Sequence, residues 1–148
     1  MLDLTALTAC IGEEIGAGDW LLIDQDRVDA FADATLDHQW IHQAGPRAED
    51  GPFGGPIAHG FLTLSLLWHL MGTAPSVVET AAMVINYGLD KVRFITPVPV
   101  GSRLRASVML KDVTPIEGGA QITNAVTIEL EGSDRPAAYV EALIRVFS

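Results

Sequence analysis

The sequence predicts an α+β fold in which a curved antiparallel sheet wraps around a central apolar helix, and three observations lead there. From Gly60 to Met71 the chain is apolar around the whole circumference of a helical wheel. Three segments in the C-terminal half alternate apolar and polar residues with a period of two, the signature of half-buried strands. The stretches joining them are short and supplied with turn residues, so successive strands run antiparallel.

Each element follows from its residues. Trp20 to Ile23 reads as a short strand, and Asp24 is placed to cap a helix whose apolar positions Val28, Phe31 and Ala32 follow three-and-four spacing to an end near Thr35. The Gly/Pro-rich stretch Ala44 to Pro56 is a long loop inside the domain, and ordered loops of that length are often functional. The helix Gly60 to Met71 follows. Its eight large apolar side chains leave no polar face, so it is expected to be covered on nearly all sides, with His69 as a satisfied core histidine.

In the strand Arg103 to Lys111, Leu104, Ala106, Val108 and Leu110 face the core while Arg103, Arg105, Ser107 and Lys111 face away. Ile122, Val126, Ile128 and Leu130 form the inner face of the next strand, and Ala138, Val140, Ala142, Ile144 and Val146 that of the last. Thr114 to Gly119 and Gly132 to Pro136 are the turns. A sheet of such strands with one wholly apolar helix suits a hot-dog arrangement best, in a single domain over residues 1–148. A sandwich with helices on one face shares the same periodicities.

Composition limits the function classes. With 19 acidic and 9 basic side chains the net charge is −10, a field that repels nucleic acid. No apolar run approaches bilayer length, so no membrane span is expected. Cys10 is the only cysteine, which excludes an intrachain disulfide and a thiolate zinc cluster. Met1 to Gly16 carries Asp3, Glu13 and Glu14 and no basic leader, and a cytoplasmic location is expected. Lys91, Arg93, Arg103 and Arg105 fall within 15 residues and are candidates for binding a phosphate-bearing ligand, although alternating cations on strands commonly form a solvated face.

The chemistry-bearing residues cluster in Ala34 to His42 (ATLDHQWIH), where Asp37 and His42 stand five apart at a helix end. Addition of water to a polarised double bond needs a base for the water and an acid for the adjacent carbon, and a carboxylate with an imidazole supplies both. The bland alternative is a helix C-cap followed by a loop histidine. The segment Pro56-Ile57-Ala58-His59-Gly60 adds a glycine at a helix start, where an unpaired N–H can hold a carbonyl oxygen. His59 is placed to cap that helix. His38 and His42 have the spacing of a helical metal pair, but no further ligand stands nearby, and no metal is expected.

DHQWIH followed by GPIAHGFLTLSL resembles the signature of the MaoC-like dehydratases, which include the (R)-specific enoyl-CoA hydratases, and INYGLDKVRFITPVPV extends the likeness toward the branch related to nodulation protein N. The resemblance implies a hot-dog fold, a homodimer, and reversible hydration of an enoyl thioester carried on CoA or acyl carrier protein, without a further cofactor. It also implies roles for Asp37 and His42 as the catalytic pair, for Gly60 as oxyanion donor and for Ser65 as a supporting active-site serine. Asn86, Lys91 and Arg93 are the candidate substrate-binding residues; a turn before Gly88 would equally explain Asn86 and Tyr87. The chain departs from the family pattern where Gln39-Trp40 replaces Asn-Pro and where Leu36 stands in place of a glycine. The alternatives are a thioesterase on the same scaffold, disfavoured because Gly60 to Met71 has no acidic residue, and a non-catalytic acyl-binding protein.

Overall fold

The computed structural model describes residues 3–148, so Met1 and Leu2 of the N-terminal stretch lie outside the described residues. Helix α1 (Leu4–Ala9) opens the chain, with Asp3 Oδ1 accepting from the Thr5 and Ala6 amides at 3.0 Å each. At six residues it is too short to announce itself by periodicity. The short strands β1 (Glu14–Ala17) and β2 (Leu21–Leu22) precede helix α2 (Gln25–Thr35). Asp24 caps α2 as expected, its carboxylate accepting from the Arg27 amide at 2.9 Å, and the helix buries Val28 and Ala32.

The long loop is partly helical. A 3₁₀ turn (Trp40–His42) leads to α3 (Pro46–Glu49), and the Arg47 guanidinium lies 4.7 Å above the Trp40 ring. The expected helix from Gly60 appears as α4 (Gly60–Ser65) and α5 (Leu67–Gly72). Leu66 between them keeps right-handed backbone angles, and Leu66 N–H still donates to Leu62 O and Leu70 N–H to Leu66 O, so the helical stripe runs through the joint.

Strands β3 (Met83–Phe94), β4 (Arg103–Ile116), β5 (Gly119–Leu130) and β6 (Ala138–Phe147) complete one antiparallel sheet of order β1-β4-β5-β6-β3, with β2 also on β4. Val108 opposes Val126 and Val126 opposes Val140, setting the inward rows in register. Leu62, Leu67 and Leu70 of the helix pair pack on these rows, and Leu110, Ile122, Ile144 and Val146 form a second cluster with Leu7. Leu70 is wholly buried, so its truncation to alanine would cost about 2–5 kcal/mol. No helix among the described residues is long and apolar enough to cross a membrane.

Two expectations are corrected. The helix is not covered on all sides: Phe61 is 68% and Trp68 48% exposed, and His69 faces solvent rather than the core. Asn86 and Tyr87 do not form a turn either. They lie within β3, where the register slips between Asn86, opposite Ile144, and Gly88, opposite Leu143, leaving Tyr87 as the extra residue of a bulge.

Candidate active site

Asp37 follows the end of α2. The chain turns there through Leu36, whose φ of 64° is left-handed, the conformation that favours the glycine usual in the resembled pattern. The Asp37 carboxylate is half exposed, and one oxygen accepts from the Gln39 amide at 3.4 Å. His42 closes the 3₁₀ turn and is buried. Its Nδ1 lies 2.7 Å from the Ile57 carbonyl oxygen. A carbonyl can only accept, so Nδ1 carries the proton and Nε2 presents a lone pair. Burial pushes the His42 pKa below the ordinary histidine value, helped by the neighbouring His59, while the Ile57 bond and the Asp37 charge pull the other way.

His59 immediately precedes α4 but caps nothing with its side chain. Its ring, 2% exposed, stacks on His42 with centroids 3.6 Å apart and meets Phe31 at 4.9 Å. Its Nε2 donates to the Asp37 carbonyl oxygen at 3.0 Å and lies 4.0 Å from the Asp37 carboxylate. One side chain thus ties the Asp37 backbone to the His42 ring and to the start of α4. The only sequence signal for this role is a histidine beside the helix-opening glycine, which reads equally well as a cap.

Gly60 offers its N–H at the head of α4, and no described group accepts from it. A Cβ there would come within 3.1 Å of the Phe94 ring, so a side chain at this position would require the aromatic to give way by a few tenths of an ångström. Gly60, His42 and Phe94 share a cavity of about 270 Å³. The structure therefore unites residues from three segments: one donor atom from each of Asp37, His42 and His59 lies within 4.8 Å of the others. Each imidazole has already given one nitrogen to a carbonyl, so a single nitrogen on each ring is left to accept or pass a proton. The arrangement suits moving a proton.

The remaining candidates are placed elsewhere. Ser65 donates to the Phe61 carbonyl oxygen at 2.7 Å and borders a separate cavity of about 380 Å³, shared with Asn86. Lys91 and Arg93 are exposed on β3, the Lys91 ammonium 5.5 Å from the Tyr139 ring centre. The basic group seen in the sequence is not one group in space. Arg103 and Arg105 lie on β4, separated from β3 by both β5 and β6; Arg103 pairs with Glu131 at 3.8 Å and Arg105 with Glu129.

Residues 7–132 match the family described as MaoC like domain. The chain belongs to the MaoC-like dehydratase family. It is 50% identical to 3-hydroxyacyl-thioester dehydratase Z of Mycobacterium tuberculosis over 94% of this chain and 92% of that protein. It is 45% identical to nodulation protein N of Rhizobium leguminosarum bv. viciae, over 92% and 86%. Among solved structures, the (R)-hydratase from A. caviae involved in PHA biosynthesis superimposes with a TM-score of 0.70 at 27% identity, covering 90% of this chain and 96% of that one. The MaoC-like dehydratase from Rhodospirillum rubrum gives 0.76 at 20% identity over 93% and 92%, and shares the fold. The fold is thus the hot-dog fold and the enzyme class of this MaoC-like protein is that of a hydro-lyase.

Proposed function

We propose that this MaoC-like chain adds water reversibly to trans-2-enoyl thioesters to give (R)-3-hydroxyacyl thioesters, with Asp37 and His42 holding the water and Gly60 the thioester oxygen. The convergence of a carboxylate and a lone-pair-bearing imidazole beside an unpaired amide carries this reading. Water lies between the Asp37 carboxylate and His42 Nε2. His42 takes a proton as the oxygen bonds to the β-carbon, and Asp37 stabilises the imidazolium. Negative charge passes to the thioester oxygen, where the Gly60 N–H receives it; one such donor contributes about 3–4 kcal/mol at the transition state. The pair then returns a proton to the α-carbon, and general acid and base action adds roughly 10²- to 10⁴-fold.

Ser65 and Asn86 border the neighbouring hollow, which suits the acyl chain, and Lys91 and Arg93 on the outer strand suit the phosphates of the carrier, CoA or the prosthetic arm of acyl carrier protein. No further cofactor enters the reaction, and the protein works in the cytoplasm. It does so as a homodimer: β3 ends the sheet and exposes Met83, Ile85, Leu89 and Phe94, and Phe61 adjoins Phe94 at 6.0 Å, an apolar surface that a second copy would cover.

Incubation with crotonyl-CoA, following enoyl absorbance and free thiol together, tests the reaction. Loss of the double bond without thiol is the expected result; thiol release with the double bond intact would assign the site to a thioesterase. Tight binding with neither change would leave an acyl-binding protein.

A further inference from the structure

Asn124 sits where the inward row of β5 calls for an apolar residue. It lies between Ile122 and Val126, opposite Leu110 on β4 and Ala142 on β6. Those neighbours divide between the two hydrophobic clusters, so the amide stands at the seam of the core. Asn124 is only 4% exposed, and no described group hydrogen-bonds its side chain. An amide on such a face, without a partner in the protein, is left to a ligand or to water. It opens onto a cavity of about 70 Å³ beside Trp68, Met71 and Ile144.

The same three side chains border the larger cavity of about 380 Å³ that holds Ser65. Gly60, Leu64, Trp68 and Met71 repeat at helical spacing, so one stripe of the helix pair leads from the candidate oxyanion amide past both hollows. Opposite it, β3 presents Phe94 beside Gly60 and Gly88 and Leu89 beside the larger hollow. Eight residues of helix separate Gly60 from Trp68, about 12 Å of rise. A chain anchored by its carbonyl at Gly60 and laid along this stripe would end beneath Trp68.

We infer that the small chamber receives the far end of the acyl chain and that Asn124 selects enoyl thioesters bearing an uncharged hydrogen-bonding group there, a hydroxyl or a carbonyl. This rests on the proposed reading of the Gly60 site. A carboxamide offers both a donor and an acceptor and so satisfies either group. Among the described residues no charged one lines either cavity, so an ionised carboxylate there would lack a counter-charge. A water needs about 10–15 Å³ of cavity space, so the chamber has room for roughly five to seven water-sized groups, the tip of a chain.

The test titrates saturated acyl-CoAs of matched lengths ending in a methyl, a hydroxyl or a carboxylate against the wild type, Asn124→Leu and Asn124→Val, and measures the melting temperature of each protein. At the length that reaches the chamber, the wild type should bind the hydroxyl-ended chain about tenfold more tightly than the methyl-ended one, with the carboxylate weakest. Asn124→Leu should reverse the first preference and melt higher, because it removes an unpaired amide from an apolar face; Asn124→Val carries the same comparison if leucine overfills the site. The inference is overturned if the wild type prefers the methyl end at every length, which would mean that the amide holds only water, or if the preference survives both substitutions. Crotonyl-CoA is too short to reach the chamber, so failure of its hydration strikes the proposed reaction, whereas the binding series needs no turnover.

Discussion

The imidazoles of His42 and His59 lie face to face, 3.6 Å apart, and each donates one ring N–H to a backbone carbonyl of the other's neighbourhood: His42 to Ile57, His59 to Asp37. Two buried rings so close cannot both carry charge without repulsion, so the stack favours neutral His42, the form able to accept a proton.

The pH dependence follows from this. Because the folded-state pKa of His42 is depressed, kcat/KM for crotonyl-CoA should fall on the acid side with an apparent pKa below about 6.5. For the same residue the unfolded chain binds the proton more readily. The stability His42 contributes is therefore complete above about 6.5 and is lost as pH falls from there toward the folded pKa. Denaturant titrations of wild type and His42→Gln between neutral and mildly acid pH should show the wild type losing more stability.

Asp37→Asn keeps the shape of the side chain and removes its charge. It should reduce kcat for crotonyl-CoA hydration by roughly 10²- to 10⁴-fold. The midpoint of denaturation should change little, since the carboxylate is half exposed. An unimpaired variant beside an active wild type would remove Asp37 from the mechanism.

His59→Ala deletes the stack and leaves the Asp37 carbonyl without its donor. Removing the neighbour that lowers the His42 pKa and admitting water should move the acid limb of the pH profile up toward about 6.5. The variant should also lose about 1–3 kcal/mol of stability, read by denaturant. Loss of stability with an unmoved profile would reduce His59 to a packing residue.

Leu36 holds a left-handed backbone angle that costs an L residue about 1–2 kcal/mol. Its side chain is exposed, so nothing in the core is lost when it is removed. Leu36→Gly should raise the melting temperature by about 2 °C once the greater freedom of glycine in the unfolded chain is subtracted. A lower melting temperature would show that the Leu36 side chain contributes more than the angle costs.

Gly60→Ala would bring a methyl against the Phe94 ring and crowd the approach to the amide. We expect kcat/KM to drop at least about tenfold, with partial recovery in Gly60→Ala/Phe94→Leu; the coupling between two touching residues is what a double-mutant cycle reads.

The elements that were legible in the sequence are those with a strong period or a cap: α2 with Asp24 before it, and β4, β5 and β6 with one face buried. Strand β3 was not, because almost every residue of it is exposed in the single chain and a strand with no inner face carries no alternation. Asp37 and His42 are paired by the motif resemblance rather than by their spacing, which fits a helix end and a loop histidine equally well, and His59 reaches them only through the fold, 22 residues along the chain from Asp37. The four cations misled for the opposite reason, since closeness in sequence across the β3–β4 connection becomes separation across the sheet.

The two ends of the Gly/Pro-rich segment are pinned together: Ile57 N–H donates to the Ile41 carbonyl at 2.9 Å while the Ile57 carbonyl receives the His42 ring. What lies between is therefore a hoop fastened at its base. Its tip around Gly54 is exposed and lies beyond that fastening, so inserted or cleaved sequence there is expected to leave the imidazole held in place.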